Sequence, residues 1–254
     1  MCELYHTVDG PAGAPPLLLG GSLGTSLAMW RPQLPALAER FRVIRYDHRG
    51  HGRSAVPPGE YRIDDLGRDV LALLDRLRVD RLHVAGLSLG GMVGMWLAAN
   101  APERVDRLVL LCTAARLGPP RVWAERAAAV RAAGMPAVVD TVLTRWFTPG
   151  FAQRHRGVVS WAARQLTATP PEGYAGCCGV IEHLDLEPAL GSITVPTLVV
   201  AGADDPATPP AMTHRIATTV PAARMEIVPD AAHLANVEQP EVVTRLLLDF
   251  LGGG

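Results

Sequence analysis

The chain has 254 residues, of which 48% are hydrophobic and 19% are charged, and its formal net charge at pH 7 is −1. It contains no apolar run near the roughly 20 residues of a membrane-spanning helix and no basic stretch, which excludes membranes and nucleic acids as expected partners. All 24 basic residues are arginines, so Schiff-base catalysis, lysine-anchored pyridoxal phosphate and a Walker-A loop are excluded as well.

Short apolar runs bounded by glycine, proline or aspartate alternate with helical patterns along most of the chain. The predicted elements are, in chain order, strands at 17–19 and 42–46, a helix at 63–77, a strand at 82–86, a helix at 89–100, strands at 108–112, 197–201 and 225–228, and a helix at 238–251. This alternation is typical of βαβ units. We therefore expect an α/β fold with a twisted, mostly parallel sheet flanked by helices.

The alternation stops between residues 115 and 193, where arginine-rich and alanine-rich helical patterns are separated by proline and glycine. A structureless loop of that length would be unusual in a compact domain, so we predict a helical cap subdomain at 115–193. Residues 1–114 and 194–254 are then the core domain. The terminal Gly252, Gly253 and Gly254 are typical of a frayed end or a linker stub.

The strongest chemical motif is G-x-S-x-G at Gly86, Ser88 and Gly90, between a predicted strand and a predicted helix. A strand-to-helix elbow forces the serine into a strained backbone conformation, and the flanking glycines remove Cβ atoms that would collide there. Ser88 is therefore the candidate nucleophile. The alternative, a tight turn that happens to contain serine, is disfavoured by the strand and helix on either side.

A serine at its ordinary pKa is a poor nucleophile and needs a base and an orienting acid, which follow it in the chain for this type of elbow. Two histidines lie after the cap. His233 is predicted in a loop between the last strand and the last helix and is the candidate base, whereas His214 falls within a helical pattern and is expected at the surface. The acid is expected after strand 197–201, where Asp204 and Asp205 compete.

An oxyanion needs two backbone N–H donors, one from the residue after the nucleophile and one from the loop after the first core strand. Leu89 and Leu23 hold these positions, and Leu23 lies in a glycine-rich loop that could equally be a plain turn. Asp47, His48 and His51 invite an alternative reading as a metal site, but no third histidine is placed to complete it. We expect no metal and no cofactor.

Four cysteines, Cys2, Cys112, Cys177 and Cys178, show no C-x-x-C spacing, and the last two are adjacent. An adjacent pair is an awkward geometry for a disulfide, so reduced thiols are expected. The first ten residues carry no secretory signal pattern. Together these features predict a cytoplasmic protein.

Beyond the elbow, the chain carries the motif D-x-R-G-x-G-x-S at 47–54, G-x-x-D-x-x-T-P at 202–209 and an A-x-H loop at His233. With these motifs nearly the whole chain resembles the α/β-hydrolase superfamily, whose pattern favours Asp205 as the acid and places the cap after the sixth strand. The cap segments 145–149 and 173–178, followed by Asp185 and Leu186, resemble those of 3-oxoadipate enol-lactonases. Those enzymes act in the β-ketoadipate pathway of aromatic compound degradation.

The resemblance implies that a Ser-His-Asp triad opens a lactone that carries a free carboxylate. Because the chain has no lysine, the cation for that carboxylate should be an arginine or a histidine, and Arg145 beside Trp146 in the cap is the candidate. The alternative is that Arg145 is a solvated helix residue. The resemblance implies a small-molecule partner and leaves the oligomeric state open.

The competing interpretations keep the same triad: a general carboxylesterase, a carbon–carbon bond hydrolase or a cofactor-free perhydrolase. Ser88 at the elbow argues against haloalkane dehalogenases and epoxide hydrolases, which need a carboxylate there. A ligand-binding protein with the hydrolase fold is a further alternative, which the complete set of Ser88, His233 and an aspartate disfavours.

Overall fold

Seven strands form one sheet in the computed structural model of the chain, which describes residues 1–253. The strands are β1 (His6–Asp9), β2 (Pro16–Gly20), β3 (Arg42–Tyr46), β4 (Leu82–Leu87), β5 (Val105–Leu111), β6 (Thr197–Gly202) and β7 (Ala223–Val228). Their order across the sheet is β1-β3-β2-β4-β5-β6-β7. Only β1 is antiparallel to its neighbour within these residues. Gly254, the last of the three terminal glycines, lies outside the described residues.

The α/β class and the mostly parallel sheet predicted from the alternating pattern are confirmed. Every residue of β4 and β6 is buried, as expected for central parallel strands covered by helices on both faces. The edge strand β1 was not predicted. Its sequence, His-Thr-Val-Asp, is short and only partly buried, so it carries no apolar run that would mark a strand.

Eleven α-helices are present in residues 1–253. They are α1 (Leu34–Ala38), α2 (Ile63–Arg76), α3 (Leu89–Asn100), α4 (Pro120–Ala133), α5 (Val139–Trp146), α6 (Pro149–Arg154), α7 (Arg156–Thr167), α8 (Pro171–Glu182), α9 (Pro210–Thr219), α10 (Ala235–Glu238) and α11 (Pro240–Leu251). Short 3₁₀ helices lie at Leu27–Trp30, Pro102–Arg104, Met135–Ala137 and Glu187–Ser192. None of the described helices is long and apolar enough to cross a membrane.

The last predicted helix, 238–251, is α11, which begins at Pro240 rather than at Glu238. Glu238 instead ends the short helix α10, and Gln239 separates the two helices. Pro240 is the first residue of α11, a position at which a backbone N–H would have no acceptor within the helix, so the N–H that proline lacks is not needed there. A helix running through Pro240 would lose a hydrogen bond and clash with the preceding turn. The break directs the Glu238 side chain toward the loop before α10, which carries His233.

The helical cap lies between β5 and β6 and consists of α4 to α8, with no strand among the described residues. It follows the fifth strand rather than the sixth, which is a correction to the expected count. The reason is that the chain before Pro16 forms one strand only, β1. The domain boundaries at 114/115 and 193/194 stay predictions.

Candidate active site

Ser88 lies at the junction between β4 and α3, with φ 56° and ψ −114°. Few residues other than glycine adopt a positive φ, and the elbow maintains it by close packing. A Cβ on Gly86 would collide with the Gly90 backbone, and one on Gly90 would collide with Gly20. The Ser88 N–H donates to Leu111 O at 2.9 Å, which anchors the turn to β5. The elbow therefore presents the Ser88 side chain at the carboxyl end of β4.

Asp205 and His233 form a buried pair at the carboxyl ends of β6 and β7. His233 Nδ1 lies 2.9 Å from Asp205 Oδ2, and the same oxygen accepts a hydrogen bond from Thr208 Oγ1 at 2.6 Å. The other oxygen, Oδ1, accepts from the N–H groups of Ala207 and Thr208. Asp204 is exposed, so of the two competing carboxylates only Asp205 reaches the imidazole.

The contacts of Asp205 determine both its charge and the tautomer of His233. Burial alone would raise the pKa of Asp205, but the charge and hydrogen bond of His233 and the bonds from Thr208 outweigh it and lower this pKa. An ionised Asp205 accepts the proton on Nδ1, which leaves the lone pair on Nε2. His214 lies exposed on α9, as expected from its helical pattern.

Ser88 Oγ has no hydrogen-bond partner within residues 1–253, and His233 Nε2 lies 3.4 Å from Ser22 Oγ instead. Hydrogen bonds between a nucleophile and its base are often long when no substrate is bound. Ser22, Ser88 and His233 line the same pocket. Sequence reasoning missed Ser22 because a serine in a glycine-rich loop carries no distinguishing pattern.

The two expected oxyanion donors, Leu23 and Leu89, come from the loop after β2 and from the start of α3. Within residues 1–253, neither the Leu23 N–H nor the Leu89 N–H donates to a protein acceptor. Leu23 lines the pocket that contains Ser88, and Leu89 is the first residue of α3. Two unoccupied N–H groups beside Ser88 are what an oxyanion site requires.

Residues 47–54 contact the loop after β2 through hydrogen bonds. His51 Nε2 accepts the Gly24 N–H at 2.9 Å, and His48 Nε2 lies 2.9 Å from Gly21 O. Burial lowers the pKa of His48 to about 3 and that of His51 to about 4, so both rings are neutral, and His51 Nδ1 can donate to Arg49 O while its Nε2 accepts. Asp47 accepts the Leu27 N–H at 2.6 Å. No group of three His, Cys, Asp or Glu in the described part of the chain is arranged to hold a metal ion.

A pocket of about 240 Å³ connects these groups to the cap. Arg145 and Trp146, at the end of α5, both line it, as do apolar side chains from the cap and from the loop before α9. Trp146 is buried and Arg145 is half-buried. A second arginine, Arg126 of α4, also lines the pocket and was missed, because α4 is arginine-rich and only its packing shows which arginine faces inward.

Hydrogen bonds between backbone groups, and others to the carboxylate of Glu238, connect the His233 loop to the cap. The N–H groups of His233 and Leu234 donate to the carbonyls of Arg145 and Trp146 at 3.4 and 3.0 Å. Glu238 Oε1 accepts the Thr148 N–H at 2.9 Å and the Thr148 hydroxyl at 2.8 Å. Its Oε2 accepts the N–H of Ala232, the residue before His233.

We expect Glu238→Gln to lower the thermal unfolding midpoint by about 2–12 °C, although the two side chains have the same shape. An amide turns one carboxylate oxygen into a donor facing a backbone N–H, which leaves a buried group unpaired at roughly 1–3 kcal/mol, and each kcal/mol shifts the midpoint by about 2–4 °C in a chain of this size. Glu241→Gln, at an exposed position on α11, is the control. Equal midpoints for the two variants in scanning calorimetry would show that Glu238 does not fasten the loop.

The sequence and fold of the chain match those of known proteins. A family model described as the alpha/beta hydrolase fold matches residues 15–240. The crystal structure of the enol-lactonase from Burkholderia xenovorans LB400 superposes with a TM-score of 0.97 at 42% identity, covering 99% of this chain and 97% of that one.

Two relatives carry different names. 3-Oxoadipate enol-lactonase 2 of Acinetobacter baylyi is 41% identical over 238 residues, which are 94% of this chain and 89% of that protein. The RutD protein of Variovorax paradoxus, named as a carbamate hydrolase, is 36% identical over 255 residues, 98% of this chain and 96% of that protein. These matches confirm the resemblance to enol-lactonases. They also show a similarity to a protein named for a second class of substrate, carbamates.

Proposed function

The chain belongs to the alpha/beta hydrolase family and is an ester or lactone hydrolase, and we propose that its substrate is 3-oxoadipate enol-lactone, which it hydrolyses to 3-oxoadipate. The observation that carries this proposal is the buried Asp205–His233 pair, because His233 lines the same pocket as Ser88, Arg145 and Leu23. The enol-lactonase relatives support the choice of substrate.

In the first half of the proposed reaction, His233 Nε2 takes the proton from Ser88 Oγ as the oxygen attacks the lactone carbonyl. The negative charge on the carbonyl oxygen is held by the N–H groups of Leu23 and Leu89. The ring carbon–oxygen bond then breaks, and the ring oxygen takes the proton from His233 and leaves as an enol. The enol tautomerises to a ketone.

In the second half, His233 removes a proton from a water molecule that attacks the Ser88 ester. The oxyanion forms again on the same two N–H groups, and its collapse returns the proton to Ser88 Oγ and releases 3-oxoadipate. Throughout, Asp205 holds the imidazole in one tautomer and stabilises its protonated form. No metal or cofactor takes part in this scheme, since the oxyanion site polarises the carbonyl.

We place the reaction in the β-ketoadipate pathway of aromatic compound degradation, where this lactone is the substrate. A cytoplasmic location is proposed with it. Its support is that the four cysteines, Cys2, Cys112, Cys177 and Cys178, are all buried free thiols.

The test compares kcat/KM for 3-oxoadipate enol-lactone, for a 4-nitrophenyl ester and for a carbamate, with a fluorophosphonate probe reporting on Ser88. We expect the probe to label the wild-type chain and the enol-lactone to be turned over fastest. If the probe labels the chain but the nitrophenyl ester is turned over faster than the enol-lactone, the result would favour a general esterase. A chain that resists the probe and hydrolyses none of the three would act as a binding protein.

A carbamate hydrolase is the second candidate, because the RutD relative aligns with nearly the whole chain at 36% identity. A carbamate presents a carbonyl that the same serine and oxyanion donors could engage. The comparison of kcat/KM above separates the two candidates directly. A carbamate hydrolysed faster than the enol-lactone would replace the proposed substrate.

Arg145→Ala is expected to lower kcat/KM for the enol-lactone, by an amount that corresponds to about 1.5–3 kcal/mol of activation free energy. This is the contribution of a charge-assisted hydrogen bond to the free carboxylate. Turnover of a neutral nitrophenyl ester should barely change. Steady-state kinetics on both substrates checks this, since a displaced cap would reduce the two rates together. Unchanged kinetics on both would mean that Arg145 does not bind the carboxylate of the substrate.

A further inference from the structure

Each of the two expected oxyanion donors belongs to a peptide unit whose carbonyl oxygen accepts hydrogen bonds from the protein. The Leu23 N–H shares its peptide unit with Ser22 O, and the Leu89 N–H shares its unit with Ser88 O. Both units are trans, and a trans peptide unit is planar, with its C=O and N–H pointing in opposite directions. A group that fixes the direction of either carbonyl therefore also fixes the direction of the N–H on the other side of the unit.

Thr25 binds the first of these carbonyls. Its hydroxyl donates to Ser22 O at 2.7 Å, and its backbone N–H donates to the same oxygen at 3.1 Å. The hydroxyl also lies 3.1 Å from Met29 Sδ, but it has a single proton, and a carbonyl oxygen is a stronger acceptor than a thioether. Met29 Sδ instead accepts the Ser22 N–H at 3.2 Å. Ser22 is thus held on both sides, through its own N–H and through its carbonyl.

Thr113 binds the second carbonyl in the same way. This residue lies just beyond the end of β5 and is buried. Its hydroxyl donates to Ser88 O at 2.7 Å, and the N–H of Met92, near the start of α3, donates to the same oxygen at 3.0 Å. A Cβ on Gly91 would lie 2.8 Å from the Thr113 side chain, so this glycine leaves room for the threonine. Each of the two carbonyls therefore accepts one threonine hydroxyl and one backbone N–H.

We propose that Thr25 and Thr113 are positioning residues of the oxyanion site, each of which orients and polarises one peptide unit whose N–H binds the oxyanion. A hydrogen bond to a carbonyl draws electron density toward its oxygen, which makes the N–H of the same unit a stronger donor in a buried environment. Donors oriented in advance stabilise the charge that develops during acyl transfer without having to reorganise. The inference rests on the proposed function for the roles of the Leu23 and Leu89 N–H groups.

A buried hydroxyl needs an acceptor, and a threonine away from the site satisfies that need without touching such a unit. Thr197 is buried at the start of β6, the opposite end of the strand from the loop of Asp205, and its hydroxyl donates to Val195 O at 2.9 Å. Thr25 and Thr113 differ from it in their acceptors. Both donate to the peptide units whose N–H groups bind no protein acceptor within residues 1–253.

Replacement of each threonine by valine removes the hydroxyl and keeps the branched shape of the side chain. In Thr25→Val and Thr113→Val the carbonyl keeps its bond from a backbone N–H, so no buried carbonyl loses its last partner. We expect each variant to lower kcat for a 4-nitrophenyl ester about 5- to 50-fold, less than the loss of an entire oxyanion donor, and to change KM less than about twofold. Thr25→Ser and Thr113→Ser keep the hydroxyl and should stay within about threefold of the wild-type kcat.

Inhibition by a trifluoromethyl ketone gives a second measurement that does not depend on turnover. Ser88 Oγ forms a bond to the carbonyl carbon of the ketone, and the serine proton passes to His233. The electron pair of the broken C=O π bond moves to the ketone oxygen, which becomes an oxyanion bound by the Leu23 and Leu89 N–H groups. The inhibition constant should rise in each valine variant by about the factor by which kcat/KM for the ester falls. A threonine that only filled space would not couple these two quantities.

Thr197→Val is the matched control, because it makes the same substitution at a buried threonine away from the site, and it should keep the wild-type kcat. Circular dichroism verifies that each variant is folded, and Thr25→Ala or Thr113→Ala replaces a valine variant that is not. The proposal is overturned if the valine variants match Thr197→Val in kcat, if the serine variants are as slow as the valine variants, or if the inhibition constant does not change. Hydrolysis of the nitrophenyl ester without hydrolysis of the enol-lactone would contradict the proposed substrate alone.

Discussion

Ser88→Ala and His233→Ala are each expected to lower kcat for the enol-lactone by at least about 10³-fold, and the double variant is expected to be scarcely slower than either. The physical reason is that the two side chains act as one unit. Without Ser88 there is no oxygen for His233 to activate, and without His233 the Ser88 hydroxyl keeps its proton. Steady-state kinetics on the three variants, with the Glu241→Gln chain as a folded control, measures the effect.

A His233→Ala chain that keeps more than about a tenth of the wild-type kcat would remove His233 from the role of base. Additive losses in the double variant would have a different meaning: Ser88 and His233 would then act in separate steps. The Ser88→Ala chain should also lose labelling by a fluorophosphonate probe. Persistent labelling would point to another nucleophile, and Ser22, whose Oγ lies 3.4 Å from His233 Nε2, is the next candidate.

The second large effect is expected at the acid. Asp205→Asn should lower kcat on the order of 10²–10⁴-fold, and Asp204→Asn should leave it nearly unchanged. An amide at position 205 can turn its NH₂ toward His233 Nδ1, which favours the tautomer with the proton on Nε2, the wrong nitrogen for a base. It also removes the negative charge that stabilises the protonated imidazole.

Kinetics of the two asparagine variants at the same pH checks this prediction, and the pair is well matched because the residues are adjacent. Asp204 is exposed and its side chain makes no hydrogen bond within residues 1–253, whereas both oxygens of Asp205 are occupied. If Asp204→Asn proves the slower variant, the acid has been assigned to the wrong neighbour.

The sequence predicted the sheet, the elbow and the loop that carries His233 well, because each depends on local pattern. An apolar run followed by G-x-S-x-G and a helical stretch leaves the chain few ways to fold around Ser88. The choice between Asp204 and Asp205 was harder, since adjacent residues share every local signal. What separates them is the turn in which Asp205 accepts the N–H groups of Ala207 and Thr208, and only the superfamily pattern indicated it.

Arg126 and Glu238 could not be predicted, for two different physical reasons. Arg126 lies among several arginines on α4, and which of them faces the pocket is determined by how that helix packs in the cap. Glu238 was predicted as the first residue of the last helix, and that position gives no indication of what its side chain contacts. The break before Pro240 instead directs it to the backbone of Ala232 and Thr148.

The bonds between the His233 loop and the cap bear on how such an enzyme can be redesigned. Cap exchange between relatives treats the cap as a module that carries specificity while the core carries chemistry. Here the carbonyls of Arg145 and Trp146 accept hydrogen bonds from the loop that carries the proposed base, His233. A chimera that grafts residues 115–193 alone would therefore also replace the groups that support His233. A graft that includes residues 231–238 keeps the two surfaces matched. Specificity and catalytic rate are therefore expected to evolve together in this chain.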